Sequence, residues 1–140
     1  MRRPLALLGL FLFLAPLAAA QSPAGTWSYV FSTPDGARQV DEGLLQIPDD
    51  GADGRIVLLD NGIDSALTDI EISRTGRAFA AAGGFASIGT TFRLEATLDG
   101  NDTFEGTFEI VGQTTFAVAA ERVPDGAFDA YDAEQDAAGS

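Results

Sequence analysis

Short runs of alternating apolar and polar residues, separated by turn residues about every ten positions, constrain the fold of this chain most. Eight such runs follow residue 25, and in the sixth the apolar positions are Phe92, Leu94, Ala96 and Leu98. Alternation with a period of two gives each strand one buried and one solvated face. Proline and glycine turns, such as the Asn61-Gly62 pair, separate the runs. The pattern indicates an all-β domain.

The connections between the runs are short, so strands that are neighbours in sequence should pair antiparallel in space. Eight such strands leave two exposed edges unless the sheet closes on itself. We therefore predict an eight-stranded antiparallel up-and-down β-barrel over residues 25–122. A sandwich is the alternative, but it needs a long crossover, and the sequence offers none.

The two ends of the chain differ from this pattern. Arg2 and Arg3 precede an apolar run over residues 5–17, and this run is followed by three small residues, the last of which is Ala20. This order is typical of a secretory signal peptide, here covering residues 1–20. An uncleaved anchor would need about 20 apolar residues. We expect cleavage after Ala20, export to the periplasm or medium, and no membrane span afterwards. Residues 21–24 form a short lead-in, and residues 123–140 are predicted to be a disordered acidic tail. The alternative is a short helix that docks on the barrel through Phe128 and Tyr131.

The charge of the chain limits its partners. Its eight basic residues are all arginine, it has 21 acidic residues, and it contains no histidine or cysteine. Removal of Arg2 and Arg3 leaves six positive against 21 negative charges, a formal charge of −15. A nucleic-acid partner is therefore disfavoured, because phosphates would be repelled. The acidity either attracts cations and basic partners or simply keeps the protein soluble.

The residue types needed for common catalytic chemistry are missing. Without histidine or cysteine there is no usual general base, thiol nucleophile or zinc ligand set. Asp49, Asp53 and Asp60 match part of a calcium-loop spacing, but a strand-like run separates the last from the others. Either Asp41 or Glu42 should point inward, which leaves carboxylate-based glycoside hydrolysis as a remote possibility. We predict no enzyme, no cofactor and no metal.

Gly25-Thr26-Trp27 opens the first strand, and Arg122 ends the last strand on its inward-facing parity. In a closed barrel these residues meet at one end, where the guanidinium can lie on the indole face. This arrangement resembles the lipocalins and the wider calycin group, in which an arginine covers the tryptophan of a G-x-W motif. The resemblance covers residues 25–122 and implies that Trp27 and Arg122 form a structural floor.

With the floor at Trp27, the open end is formed by residues 34–37, 60–62, 82–89 and 111–113. The side chains expected to line this mouth are Phe31, Phe85, Ile110 and Phe116. The glycine-rich segment 82–89 could act as a lid. The leading hypothesis is a non-enzymatic barrel that binds a small apolar ligand at this end. The alternative is a solid-core envelope or extracellular module that binds or inhibits other proteins through its acidic surface.

Overall fold

A computed structural model of the chain describes residues 22–138, and the predicted signal peptide lies outside them. Eight strands form one closed, all-antiparallel barrel in sequence order, which confirms the predicted fold class. The strands are β1 (Gly25–Ser32), β2 (Gln39–Ile47), β3 (Gly54–Leu58), β4 (Ile63–Thr75), β5 (Ala78–Phe85), β6 (Thr90–Asp99), β7 (Thr103–Ile110) and β8 (Thr114–Arg122). One helix, α1 (Ala127–Ala138), follows.

Closure is made by β1 and β8, which pair from Trp27↔Arg122 to Ser32↔Ala117. The sheet therefore has no exposed edge, and the sandwich alternative is excluded. Inward-facing side chains from all eight strands form a single apolar core. The clean alternation of β6, with every second residue buried, shows how the sequence pattern produces this core.

Strand β2 contains one glycine, Gly43. The register shift between β1 and β2 lies elsewhere in β2, at Val40, which has no partner in β1. Gly43 faces inward, and the Tyr29 hydroxyl passes it to donate a hydrogen bond to the Val57 carbonyl at 2.7 Å. A Cβ on Gly43 would lie 1.8 Å from that carbonyl oxygen. The glycine is therefore required by a close approach of β3.

Strand β4 changes its inward parity at a bulge. Asp69 has a positive φ of 51°, and the register with β5 shifts between Thr68 and Glu71. Because of the extra residue, Leu67 and Ile70 both face the core although they are three positions apart.

The polar loop before β3 supports this bulge with its carboxylates. Asp53 accepts a hydrogen bond from the Asp69 amide at 2.8 Å, and Asp50 accepts one from the Ile72 amide at 2.7 Å. These two acids, from the segment that partly matches a calcium loop, thus satisfy backbone donors of β4 at the bulge and beyond the end of its pairing with β3.

The glycine-rich lid is shorter than predicted. Residues 82–85 belong to β5 and pair with residues 90–93 of β6, so only residues 86–89 form a turn. A Cβ on Gly84 would lie 2.3 Å from the Thr68 hydroxyl, and one on Gly83 would lie 2.5 Å from the Thr68 carbonyl. The glycines therefore serve the close packing of β5 against the bulge of β4.

The prediction of a disordered tail over residues 123–140 is corrected, within the described residues, by helix α1, which agrees with the alternative of a short docked helix. Phe128 is buried, which gives the helix an apolar anchor. Among residues 22–138 no helix is long and apolar enough to cross a membrane.

A single arginine on the outer wall of β3 holds this helix. The Arg55 guanidinium lies 4.8 Å from the centroid of the Phe128 ring and 6.0 Å from that of Tyr131. It also donates to Asp132 at 2.8 and 3.1 Å and to Asp64 of β4 at 2.7 and 2.9 Å. The tail is ordered because one cation satisfies two carboxylates and two aromatic faces together.

We expect helix α1 to detach from the barrel in acid. Hydrogen bonding from Arg55 lowers the pKa of Asp132 below the ordinary carboxyl value of 3.8. Because the pKa of Asp132 is lowered when α1 is docked, the ion pair stabilises docking at every pH above 3.8. This stabilisation is lost as the pH falls through the lowered pKa. The protection factors of the α1 amides, which correct for the slower intrinsic exchange in acid, should therefore fall at low pH.

Asp132→Asn should remove this pH dependence, whereas Asp129→Asn, on the same helix, should preserve it. Unchanged protection of α1 in acid in the wild-type protein would contradict the role given to the ion pair.

Candidate functional site

One end of the barrel is closed by Arg122. Its guanidinium lies 4.3 Å from the centroid of the Trp27 ring. It donates hydrogen bonds to the carbonyls of Asn101 at 2.7 Å, Ala24 at 2.8 Å and Ser22 at 2.7 Å. The side chain thus joins the lead-in, the first strand and the turn between β6 and β7.

The residues around this contact are adapted to it. Gly25 has a φ of 139°, and a Cβ there would lie 2.4 Å from an Arg122 nitrogen, so glycine leaves the space that the guanidinium occupies. The Trp27 indole N–H donates to the Pro23 carbonyl at 2.9 Å. Because the lead-in lies across this end, a ligand would have to enter the barrel from the opposite end.

The four side chains predicted to line the mouth lie within the core. Phe31 and Phe85 are 0% exposed and Ile110 is 5% exposed, while Phe116 is half-buried. Phe31 and Phe116 stack with a centroid distance of 4.8 Å and an interplanar angle of 8°. The structure therefore brings two of the four together as a stacked pair that occupies the interior at this end.

Two further phenylalanines complete an aromatic cluster at the open end, composed of Phe31, Phe85, Phe92, Phe108 and Phe116. Phe108 is its centre, with centroid distances of 5.0 Å to Phe31, 5.4 Å to Phe92 and 6.5 Å to Phe85. Our sequence reasoning omitted Phe92 and Phe108 from the site. Their inward parity, with Phe92 opposite Ile110, was the signal that could have placed them there.

The aromatic cluster is covered by a thin apolar rim. Ile63 at the start of β4, Ile88 in the turn before β6 and Phe116 near the start of β8 are half-buried and pack against the core. All three belong to the end of the barrel opposite Trp27. The chemical character of this end is therefore apolar and aromatic, with its outermost layer in contact with solvent.

Asp41 is the inward-facing acid of β2, while its neighbour Glu42 is exposed. The Asp41 carboxylate is fully buried and accepts hydrogen bonds from the backbone amides of Glu42 at 2.7 Å and Asp60 at 2.8 Å. It also accepts one from the Asn61 side-chain amide. These bonds fasten the turn between β3 and β4 to β2.

Two more buried polar groups lie close to the open end. Ser65 accepts a hydrogen bond from the Ser87 amide at 3.0 Å, which fastens the turn before β6 to β4. Burial raises the pKa of the Tyr29 phenol, and the nearby carboxylates of Asp41 and Asp60 add to this rise. Both effects disfavour the phenolate, so Tyr29 remains a neutral hydrogen-bond donor.

The open end contains one buried carboxylate, that of Asp41, and its hydrogen-bond donors are groups of the protein itself. Within residues 22–138, Asp41 is the only buried acidic residue, and no group of three or more acidic side chains could hold a metal ion. Glycoside hydrolysis uses two carboxyl groups that flank the bond. The described residues thus assign Asp41 to the structure of the open end.

No protein-family model and no curated protein matches this chain. Among solved structures, the chain is similar to a de novo designed fluorescence-activating β-barrel, with a TM-score of 0.51 and 19% sequence identity. The similarity covers 76% of this chain and 98% of the designed one. At this identity the similarity shows a shared barrel fold.

Arg122→Lys should destabilise the whole barrel, because one ammonium group cannot replace the planar fork that contacts three carbonyls and the indole. We expect the free energy of unfolding to fall by about 2 kcal/mol, measured by urea denaturation followed by Trp27 fluorescence. Arg93→Lys, on the outer face of β6, is the matched control and should change it by less than about 0.5 kcal/mol. Equal effects of the two substitutions would contradict the closing role of Arg122.

Asp41→Ala should loosen the open end, because it leaves the amide donors of Asp60 and Asn61 without their acceptor. We expect a loss of about 3 kcal/mol in the free energy of unfolding and faster hydrogen exchange at the Asp60 amide. Glu42→Gln, one residue away on the exposed face, should leave both quantities close to their wild-type values. Unchanged exchange at Asp60 in the Asp41→Ala protein would contradict this assignment.

Proposed function

We propose that this chain is an exported, non-catalytic, lipocalin-like barrel that binds a small apolar ligand at the end opposite Trp27 and Arg122. The observation that carries the proposal is the aromatic cluster at that end, where Phe116, Ile63 and Ile88 are only half-buried and pack against the core. An apolar ligand there would exchange ring–ring contacts for ring–ligand contacts and would bury its own surface.

The rings occupy the interior, so the ligand must displace one of them. Phe116 is the candidate, because it is the half-buried member of the cluster, lies near the start of β8 and stacks on Phe31. An eight-stranded barrel encloses room for its own side chains or for one small ligand. If the Phe116 ring rotated outward, the space that it fills inside the barrel would become available to a ligand.

Two further observations support the proposal. The contact of Gly25, Trp27 and Arg122 is the feature on which the resemblance to lipocalins depends, and similarity to a fluorescence-activating barrel supports a small-molecule site in this fold. Export is supported by the lead-in: cleavage after Ala20 would retain the Ser22 and Ala24 carbonyls that Arg122 needs.

Uptake of N-phenyl-1-naphthylamine, an uncharged dye that fluoresces in apolar surroundings, tests the site. The wild-type protein should bind it, and Phe116→Ala should bind it about tenfold more tightly, because the competing ring is removed. Leu98→Ala removes a comparable apolar volume near the floor and should leave the affinity unchanged. Absence of uptake by both the wild type and Phe116→Ala would overturn the proposal, as would an equal gain in Leu98→Ala.

Native mass spectrometry of protein purified from its own periplasm or medium tests export and the natural ligand together. We expect the intact mass of a chain that begins at Gln21, together with a second species heavier by the mass of a small molecule. Phe116→Trp, which enlarges the obstructing ring, should reduce the amount of this second species. A chain that retains residues 1–20 in the cytoplasm would contradict export.

A further inference from the structure

The outer wall of the barrel carries a groove that the proposed ligand site does not use. Its volume is about 990 Å³, and it crosses the outer faces of β2, β1, β8, β7 and the end of β6. The groove is separate from the aromatic cluster, because none of the five rings of that cluster lines it.

The middle of the five strands that line the groove is β8. Its Ala119 lies directly between Val30 of β1 and Glu105 of β7, so a small side chain separates an apolar lining residue from an acidic one. With strands about 4.8 Å apart, four strand spacings give a length of about 19 Å, which matches about six residues of extended chain.

Part of the groove wall is apolar. Val30 is 36% exposed and Leu59 is 49% exposed, and Leu44 beside them is half-buried. Val30 and Leu59 are two of the three large apolar side chains that are exposed within residues 22–138. Their convergence in one concave surface is typical of a site that binds a partner.

The remaining wall is strongly acidic. Glu42, Glu105, Glu121 and Asp99 line the groove, against one basic residue, Arg77. The carboxylates of Glu105, Glu121 and Asp99 are exposed and accept no hydrogen bond within residues 22–138, so their charges face solvent. The groove therefore combines an apolar wall with a net negative charge.

We propose that this groove binds an extended segment of another protein that carries both apolar and basic side chains. Charge complementarity selects this occupant: basic side chains would neutralise the acidic wall while apolar ones cover Val30, Leu44 and Leu59. A second copy of this chain is disfavoured by its own formal charge of −13. Since the closed sheet offers no free edge in the described residues, the segment docks through side chains rather than as an added strand.

A capped synthetic peptide of alternating lysine and leucine, about six residues long to match the groove, is the probe. At low salt the wild-type protein should bind it, while a peptide of alternating glutamate and leucine should not bind. Glu105→Gln combined with Glu121→Gln should weaken binding about tenfold. Glu71→Gln combined with Glu134→Gln makes the same change of net charge away from the groove and should have little effect.

Ala119→Phe places a ring in the centre of the groove without entering the core, and should abolish binding while the melting temperature is retained. Phe116→Ala should leave peptide binding unchanged, so this proposal and the proposed ligand site can fail separately. Equal weakening by both pairs of glutamate substitutions, or full binding by Ala119→Phe, would overturn the proposal. Concentration-dependent dimers that Ala119→Phe dissociates would also overturn it, because a second copy would then be the occupant.

Discussion

The contact between the Arg122 guanidinium and the Trp27 indole fixes the geometry on which the whole barrel depends. These two residues are also the first aligned pair between β1 and β8, so their contact sets the register of the closing ladder. In a sheet with one buried face, a slip of one residue would turn every inward side chain outward. The hydrogen bonds from Arg122 to Ser22 and Ala24 also hold the lead-in across this end. Register and closure are thus achieved by one side chain.

The two ends of the barrel are stabilised by different interactions. At the Trp27 end, directional hydrogen bonds from a charged group permit few alternative arrangements. At the other end, phenylalanine rings contact one another, and Asp41 and Ser65 fasten the turns beside them. Ring stacking is less directional than hydrogen bonding, so one ring can move while the turns remain attached. The contacts at the Trp27 end therefore define a single arrangement more narrowly than the contacts at the open end.

The sequence predicts most of the barrel because alternation and short connections are local signals. Arg122 was assigned to Trp27 by parity alone, and the structure brings the two residues into contact. The bulge at Asp69 was not predictable, because its positive φ is supported by a carboxylate from a different loop, Asp53. The docked helix α1 is only the alternative at the level of sequence for a similar reason: its anchor, Arg55, lies on the distant strand β3. Both features depend on long-range contacts that no local sequence pattern records.

The acidic residues of this protein fall into two groups that composition cannot distinguish. Asp41, Asp50 and Asp53 accept hydrogen bonds from backbone amides, and so act as structural acceptors at turns and at the bulge. Glu105 and Glu121, in contrast, line the outer groove, and neither carboxylate accepts a hydrogen bond from a backbone amide of the described chain. A charge that satisfies a buried donor stabilises the fold directly, because the donor would otherwise be unpaired. A charge that satisfies none adds only repulsion between neighbouring carboxylates, and a basic partner would relieve that repulsion. General solubility accounts for a dispersed negative surface, but it does not account for four carboxylates gathered around exposed apolar side chains in one concavity.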